Sequence, residues 1–223
     1  MEADDTRRLL GRIDDYVAGL FAPPDEALEA ALRESEKEGL PAINVSATQG
    51  KLLQMLVEIS GAKKILEIGT LGGYSTIHFA RGLPDDGDLI SLELDEHHAG
   101  VARRNVERAG LSGKVEIRVG DAHRSLEGLL ENGEGPFDLI FIDADKEGYP
   151  EYLDRSLRLS RPGTLILGDN AIQDGSVMDP DGSSSRAMHE FNEKLAREPR
   201  LSAIVLPLIR EGIDGLAIAR VTG

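Results

Sequence analysis

Apolar residues near the amino terminus recur at the spacing of an α-helix. Within residues 6–21 they fall every three or four positions, and Pro23-Pro24 ends the pattern. Residues 25–39 form a second, strongly charged stretch that Gly39 and Pro41 interrupt. Residues 48–60 form a third stretch, with one apolar side, that Gly61 closes. The pattern predicts three amino-terminal helices.

The pattern changes after residue 61, where short apolar runs alternate with helical stretches. The runs that indicate strands are residues 65–68, 89–94, 115–119, 139–142 and 165–167. The helical stretches between them are residues 75–82, 96–109, 125–131 and 149–159. Strict alternation of strand and helix is typical of βαβ units, so it predicts an α/β fold with a parallel sheet.

Two further apolar runs lie near the carboxyl terminus. Residues 201–208 and 213–220 flank Ile209-Arg210-Glu211-Gly212. They predict a hairpin that adds an antiparallel pair at the edge of the sheet. We therefore expect one domain over residues 1–223, with a helical part at residues 1–60 and an α/β core at residues 61–223.

Two of the predicted strands stop abruptly at acidic or amide side chains. Asp143 directly follows the strand at residues 139–142, and Asp169-Asn170 lie just after the strand at residues 165–167. Because ligands collect at the carboxyl ends of parallel strands, we expect these three side chains to converge at one edge of the sheet. Oxygen ligands suit a hard cation such as Mg²⁺. The long loop at residues 169–184, rich in Gly, Asp and Ser, is a candidate lid.

A glycine-containing turn, from Glu67 to Ser75, follows the first predicted strand. It lacks the dinucleotide fingerprint G-x-G-x-x-G because Leu71 stands where the second glycine belongs, and it has no Lys-Ser/Thr pair to hold phosphates. Glu93 ends the second strand, where acidic residues commonly bind ribose hydroxyls, and Gly120-Asp121-Ala122 form a turn suited to the side of an adenine ring. Each feature alone is also compatible with a packing turn or a solvated strand end.

The charge of the chain narrows the choice of partners. There are 40 Asp and Glu residues against 25 Lys and Arg residues, which gives a formal net charge of −15. So acidic a surface repels phosphate backbones and anionic lipids, and it favours cationic ligands and divalent metals. No apolar stretch approaches the roughly 20 residues of a membrane helix, and the acidic start of the chain lacks the apolar core of a secretory signal. We expect a cytoplasmic protein that binds neither nucleic acid nor membranes.

The residues that most often hold zinc are uninformative here. The chain has no cysteine, which excludes disulfides and thiolate chemistry. Its five histidines lack the H-x-x-x-H spacing of a zinc-binding helix. His123 follows the adenine-side turn, and we expect the others to lie at the surface or to serve in packing; these are His78, His97, His98 and His189.

Taken together in order, the motifs resemble the cation-dependent O-methyltransferases of the catechol and caffeoyl-coenzyme A type, which use S-adenosylmethionine. The resemblance extends from about Val45 to Asn170. Its most specific part is Asp143-Ala144-Asp145-Lys146 combined with Asp169-Asn170. The other matching segments are Asn44-Val45-Ser46, the turn from Glu67 to Ser75, Leu92-Glu93-Leu94-Asp95 and Gly120-Asp121-Ala122.

The resemblance implies a fold and a role for each matching residue. It implies a Rossmann-like, seven-stranded, mostly parallel sheet with one antiparallel strand and helices on both faces, assembled as a homodimer. Asp143, Asp169 and Asn170 match metal ligands for Mg²⁺, Mn²⁺ or Ca²⁺, and Lys146, as the base, and Asp143 match the catalytic residues. The positions that match contacts to S-adenosylmethionine are Val45, Glu67, Gly69, Thr70, Ser75, Glu93, Ala122, Asp145 and Tyr152.

The implied reaction is methyl transfer from a sulfonium to a hydroxyl oxygen of a small aromatic vicinal diol, either catechol-like or hydroxycinnamoyl. A phenol titrates near 10, so a bound divalent ion that favours the phenolate assists the attack. Two alternatives stay open. One is a module that binds S-adenosylmethionine without catalysis, and the other is a metal-dependent hydrolase built on a Rossmann-like sheet.

Overall fold

The computed structural model describes residues 3–23, 25–209 and 212–223. Within these residues, seven strands form one sheet in the order β3-β2-β1-β4-β5-β7-β6. Strands β1 to β5 are parallel, and β7 runs antiparallel to both of its neighbours, β5 and β6. The strands are β1 Lys64–Ile68, β2 Asp88–Glu93, β3 Val115–Val119, β4 Leu139–Ile142, β5 Leu165–Gly168, β6 Leu201–Ile209 and β7 Ile213–Val221.

Helices cover both faces of this sheet. Along β4, alternate side chains enter opposite cores: Leu139 and Phe141 pack on the side of α3 and α4, whereas Ile140 and Ile142 pack on the side of α6 to α8. All four are fully buried, as expected for a central parallel strand. The helices are α1 Ala3–Phe21, α2 Glu26–Lys37, α3 Ala47–Ser60, α4 Tyr74–Gly82, α5 Glu96–Arg108, α6 Ala122–Glu131, α7 Tyr149–Arg158 and α8 Ser183–Arg197.

Side chains at the helix ends explain several of these boundaries. The Ser46 hydroxyl accepts a hydrogen bond from the Gln49 amide and begins α3, which ends at Gly61 in the left-handed conformation (φ 65°). Asp121 accepts from the Arg124 amide, so α6 begins at residue 122 rather than at the predicted residue 125. No helix within the described residues is long and apolar enough to cross a membrane.

The predicted α/β fold is confirmed, including the carboxyl-terminal hairpin and the single antiparallel strand. The residues that connect the hairpin, Arg210 and Glu211, lie outside the described residues, as does Pro24 of the predicted helix break. Helix α8 was not predicted, although Met188, Phe191 and Leu195 bury one face at helical spacing. The candidate lid is therefore shorter than expected, because α8 begins at Ser183 and a short 3₁₀ turn occupies Gln173–Gly175.

Candidate functional site

A cavity of about 970 Å³ opens at the carboxyl edge of the parallel strands. Its wall includes the residues that follow β1 to β5, and residues 40–45, between α2 and α3, line another side. The structure brings most of the predicted site residues to this wall: Val45, Gly69, Thr70, Ser75, Glu93, Ala122, Asp143, Asp145, Lys146, Tyr152 and Asn170. Glu67 and Asp169 are the predicted residues that do not line it.

The turn after β1 is possible only with glycine at its first position. Gly69 has φ 100°, and a Cβ atom built there would overlap the backbone carbonyl of Asp143 on the neighbouring strand. Gly73 also has a positive φ, of 80°, where it precedes α4. The turn therefore passes directly against the chain at Asp143 and brings the start of α4 to the cavity.

Glu93 holds this turn from the end of β2. Its Oε2 accepts hydrogen bonds from the amides of Thr70 (3.2 Å) and Leu71 (2.7 Å), and its Oε1 accepts from the Asp95 amide (3.0 Å). A carboxylate offers about four lone-pair positions, so acceptor capacity remains toward the cavity. This placement fits the predicted contact with ribose hydroxyls.

Glu67 lies one layer beneath the turn. Its side chain is fully buried and accepts hydrogen bonds from the hydroxyls of Ser75 (2.6 Å), Thr76 (2.5 Å) and Ser91 (2.6 Å). Burial raises the pKa of Glu67 to about 7, against the opposing effect of these hydroxyls. The structure does not bring Glu67 to the cavity wall, and the Ser75 hydroxyl is directed to Glu67.

The two predicted metal-binding carboxylates follow neighbouring strands. Ile142 pairs with Gly168, so Asp143 and Asp169 lie at equivalent positions just beyond the ends of adjacent strands. The Asp169 amide donates to the Ile142 carbonyl (3.0 Å). Asp169 is only 4% exposed. Burial raises its pKa to about 7, and the negative charge of Asp143 contributes in the same direction.

This donor set fits a hard divalent cation. Two carboxylates that repel each other are stabilised by positive charge between them, and Asn170, which lines the cavity, adds an amide. Within residues 3–23, 25–209 and 212–223, no group of three or more His, Asp or Glu side chains is arranged to hold a metal. The predicted set is of a different kind, because one of its three members is an amide.

Lys146 is held tightly beside Asp143. Its ammonium donates to Asp143 Oδ1 (3.1 Å), to the Ala144 carbonyl (3.0 Å) and to the Tyr149 hydroxyl (3.0 Å), which are as many acceptors as it has hydrogens. The Tyr149 hydroxyl in turn donates to the Ile142 carbonyl (2.9 Å), and burial raises the pKa of Tyr149 well above its ordinary value. The Lys146 side chain is thus held at the end of β4.

Asp145 and Tyr152 form another part of the wall. The Tyr152 hydroxyl donates to Asp145 Oδ1 (2.6 Å), and the Gly148 amide donates to Asp145 Oδ2 (3.0 Å). The Tyr152 ring stacks on His123 with ring centroids 4.7 Å apart. Burial, followed by the bond to Asp145, raises the pKa of Tyr152, so the phenol stays neutral and keeps its donor role.

Sequence reasoning missed residues that contact the predicted ligands. Gln49 of α3 donates to Asp169, and Asp214 at the start of β7 accepts from Asn170. These pairs are separated by 120 and 44 residues along the chain. No local pattern in the sequence marks either one, because the contacts form only when the sheet assembles.

Comparison with known proteins gives consistent matches. A family model described as O-methyltransferase matches residues 22–220. Catechol O-methyltransferase of Niastella koreensis is 48% identical over 210 residues, which cover 93% of this chain and 95% of that protein. An O-methyltransferase from Bacillus cereus, solved in complex with SAH, superposes with a TM-score of 0.94 at 46% identity, covering 97% of this chain and 100% of that one. The O-methyltransferase TomG from Streptomyces achromogenes, in complex with SAM, gives a TM-score of 0.93 at 38% identity with full coverage of both chains (100% each).

Proposed function

The chain belongs to the O-methyltransferase family, and on this premise we propose that it transfers the methyl group of S-adenosylmethionine to a hydroxyl of a catechol-like or hydroxycinnamoyl acceptor, assisted by a divalent cation. One observation carries the proposal. Asp143 and the Asp169-Asn170 pair follow the adjacent strands β4 and β5, and Asp143 and Asn170 line the same cavity as the Gly69 turn and Glu93.

The cavity suits a cationic donor. Glu93, Asp121, Asp143 and Asp145 all line it, and negative charge at this density favours a sulfonium. Glu93 at the end of β2 and Ala122 at the start of α6 both line this cavity, and we propose that Glu93 binds the ribose hydroxyls and that Ala122 contacts the adenine ring. The relatives solved with SAH and SAM support the same donor here.

Asp143, Asp169 and Asn170 are the residues that would hold the cation. When bound, it supplies positive charge that favours the phenolate over the phenol and aligns two vicinal hydroxyls. Lys146, beside Asp143, is the proposed proton acceptor. A neutral lysine has two N–H donors, so in this role Lys146 releases one of its three hydrogen-bond partners. By binding both reactants in one cavity, the protein brings the methyl group of S-adenosylmethionine into line with the acceptor oxygen. This alignment supplies much of the acceleration.

We also propose a homodimer formed through α1. Leu9, Ile13, Tyr16 and Leu20 recur every three or four residues along this helix, and all four are exposed. A continuous apolar stripe of this kind is typical of a surface that another chain covers. Light scattering after gel filtration tests it: the parent should run as a dimer, and the variant I13E with L20E as a monomer. A monomeric parent at micromolar concentration refutes the proposal.

Labelled methyl transfer to a panel of catechols and hydroxycinnamoyl esters, with and without chelator, tests the activity. We expect product with the parent, and a loss of at least about 10²-fold with chelator or in D143A. D138N is the control, because Asp138 bonds to backbone amides at the opposite end of the sheet. Donor binding without product would support a binding module, and absence of donor binding would support a hydrolase.

A further inference from the structure

A carboxylate at the start of β7 organises the turn that carries Asn170. Asp214 Oδ2 accepts from the Asn170 side-chain amide (2.7 Å). Asp214 Oδ1 accepts from three backbone amides, those of Gly215 (2.8 Å), Gln173 (3.1 Å) and Ile172 (3.3 Å). One side chain therefore fixes both the Asn170 side chain and the backbone that follows it.

This bond decides which end of the Asn170 amide faces the site. An ionised carboxylate only accepts hydrogen bonds, so the NH₂ group must point to Asp214 and the carbonyl oxygen must point elsewhere. Asn170 also lines the cavity, and its backbone is in the left-handed conformation (φ 58°), which few residues other than glycine adopt. The oxygen is the only part of the amide that binds a cation, and Asp214 leaves it available.

Gln49 holds the neighbouring proposed ligand, Asp169, by a hydrogen bond of its own. Its side-chain amide donates to Asp169 Oδ1 at 2.6 Å, and Gln49 is only 3% exposed. The Gln49 backbone amide is bonded to the Ser46 hydroxyl (3.2 Å), one residue beyond Val45 in the cavity wall. The Asp169 carboxylate is thus held through one oxygen by a helix that begins at the cavity.

From these contacts we infer that Asp214 and Gln49 are positioning residues, which orient Asn170 and Asp169 so that each presents an oxygen to the cation. The inference rests on the proposed function, because it concerns the cation of that site. Without Asp214, either end of the Asn170 amide can face the cation, and the backbone after Asn170 loses the acceptor of two amides, those of Ile172 and Gln173. Partners of this kind typically contribute about 10–100-fold to metal affinity.

The test compares D214N and Q49M with D138N, each in the full chain. Asp138 is a matched control: its Oδ2 accepts from the amides of Lys63 (2.9 Å) and Lys64 (3.0 Å), far from the cavity. Calorimetric titration with Mn²⁺ measures the metal affinity, titration with SAH in the presence of chelator measures the cofactor affinity, and thermal unfolding reports folding. We expect about 10–100-fold weaker Mn²⁺ binding in D214N and Q49M, and less than twofold change in D138N. SAH affinity should stay within twofold in all three.

A double-mutant cycle separates positioning from general destabilisation. If Asp214 acts through Asn170, D214N should change Mn²⁺ affinity less than twofold when introduced into N170A. Undiminished loss in that background, or an equal loss in D138N, would overturn the inference. So would wild-type Mn²⁺ affinity in D214N and Q49M, and Q49M alone decides if D214N does not fold. A parent that binds no Mn²⁺ refutes the proposed metal itself, whereas a parent that binds it alongside unchanged variants refutes only the positioning roles.

Discussion

The imidazole of His78 should make the protein less stable in acid. His78 lies in α4, is 4% exposed, and neither ring nitrogen has a hydrogen-bond partner among the described residues. The ring packs on the backbone of α3 at Gly50, where a Cβ atom would overlap it. Burial lowers the pKa of His78 to about 4, and the charges of Arg81 and Lys51 act in the same direction, opposed by Asp25.

The difference in proton binding between the folded and unfolded states sets how the free energy of unfolding changes with pH. Between pH 6.5 and about 4 the unfolded chain protonates this histidine while the folded protein does not, so stability falls as the pH drops through that window. The gap between the two pKa values corresponds to roughly 3 kcal/mol when complete, and to about 2 kcal/mol at pH 5. A neutral imidazole in both states at pH 7 contributes no such loss.

The substitution H78L replaces the titrating imidazole with an apolar side chain of similar volume. Urea unfolding of both proteins at pH 7, 6 and 5 measures the effect. We expect the free energy of unfolding of H78L to exceed that of the parent by about 2 kcal/mol more at pH 5 than at pH 7. F79L is the control, because Phe79 is buried in the same helix and does not ionise, so its difference from the parent should be independent of pH. Parallel pH curves for H78L and the parent would contradict the lowered pKa of His78.

Three further predictions concern the site. G69A should weaken SAH binding at least about tenfold, because the added Cβ would overlap the Asp143 carbonyl and because residue 69 has a positive φ of 100°. Unchanged SAH affinity in calorimetry would contradict this prediction. K146M should lower kcat by about 10²-fold or more with SAH affinity within twofold, and a change confined to KM would count against a role in proton transfer. E67Q should flatten the stability profile between pH 4.5 and 7. Because the pKa of Glu67 is raised to about 7, the folded parent keeps this proton in a pH range where the unfolded chain has lost it. The free energy of unfolding of the parent should therefore fall by about 3 kcal/mol as the pH rises through that window, and urea titrations at pH 5 and 8 measure the fall.

The strands could be predicted from the sequence because their apolar runs leave few alternatives. Leu139 to Ile142 is uninterrupted and buried on both faces, so its pattern gives both the strand and its central position. The rule that ligands collect at strand ends then brings Asp143 and Asp169 to one edge, and the register of β4 with β5 agrees. Helix α8 was harder, because its start is rich in serine and its buried positions are few.

The parts of the site that could not be predicted depend on side-chain direction and on distant contacts. Glu67 is on the predicted element, but its carboxylate turns toward three hydroxyls below the turn rather than toward the cavity. Gln49 and Asp214 come from segments far from the residues they contact. The pattern of one strand or helix does not encode which partner another element supplies.

The acidic wall around Glu93, Asp143 and Asp145 has a consequence for turnover under the proposed function. Methyl transfer converts a charged sulfonium into a neutral thioether, so the attraction between that wall and the sulfur is lost at the moment of reaction. The spent cofactor is then held by its adenosine and amino-acid groups alone. The carboxylates that attract the charged donor therefore attract the neutral by-product less strongly.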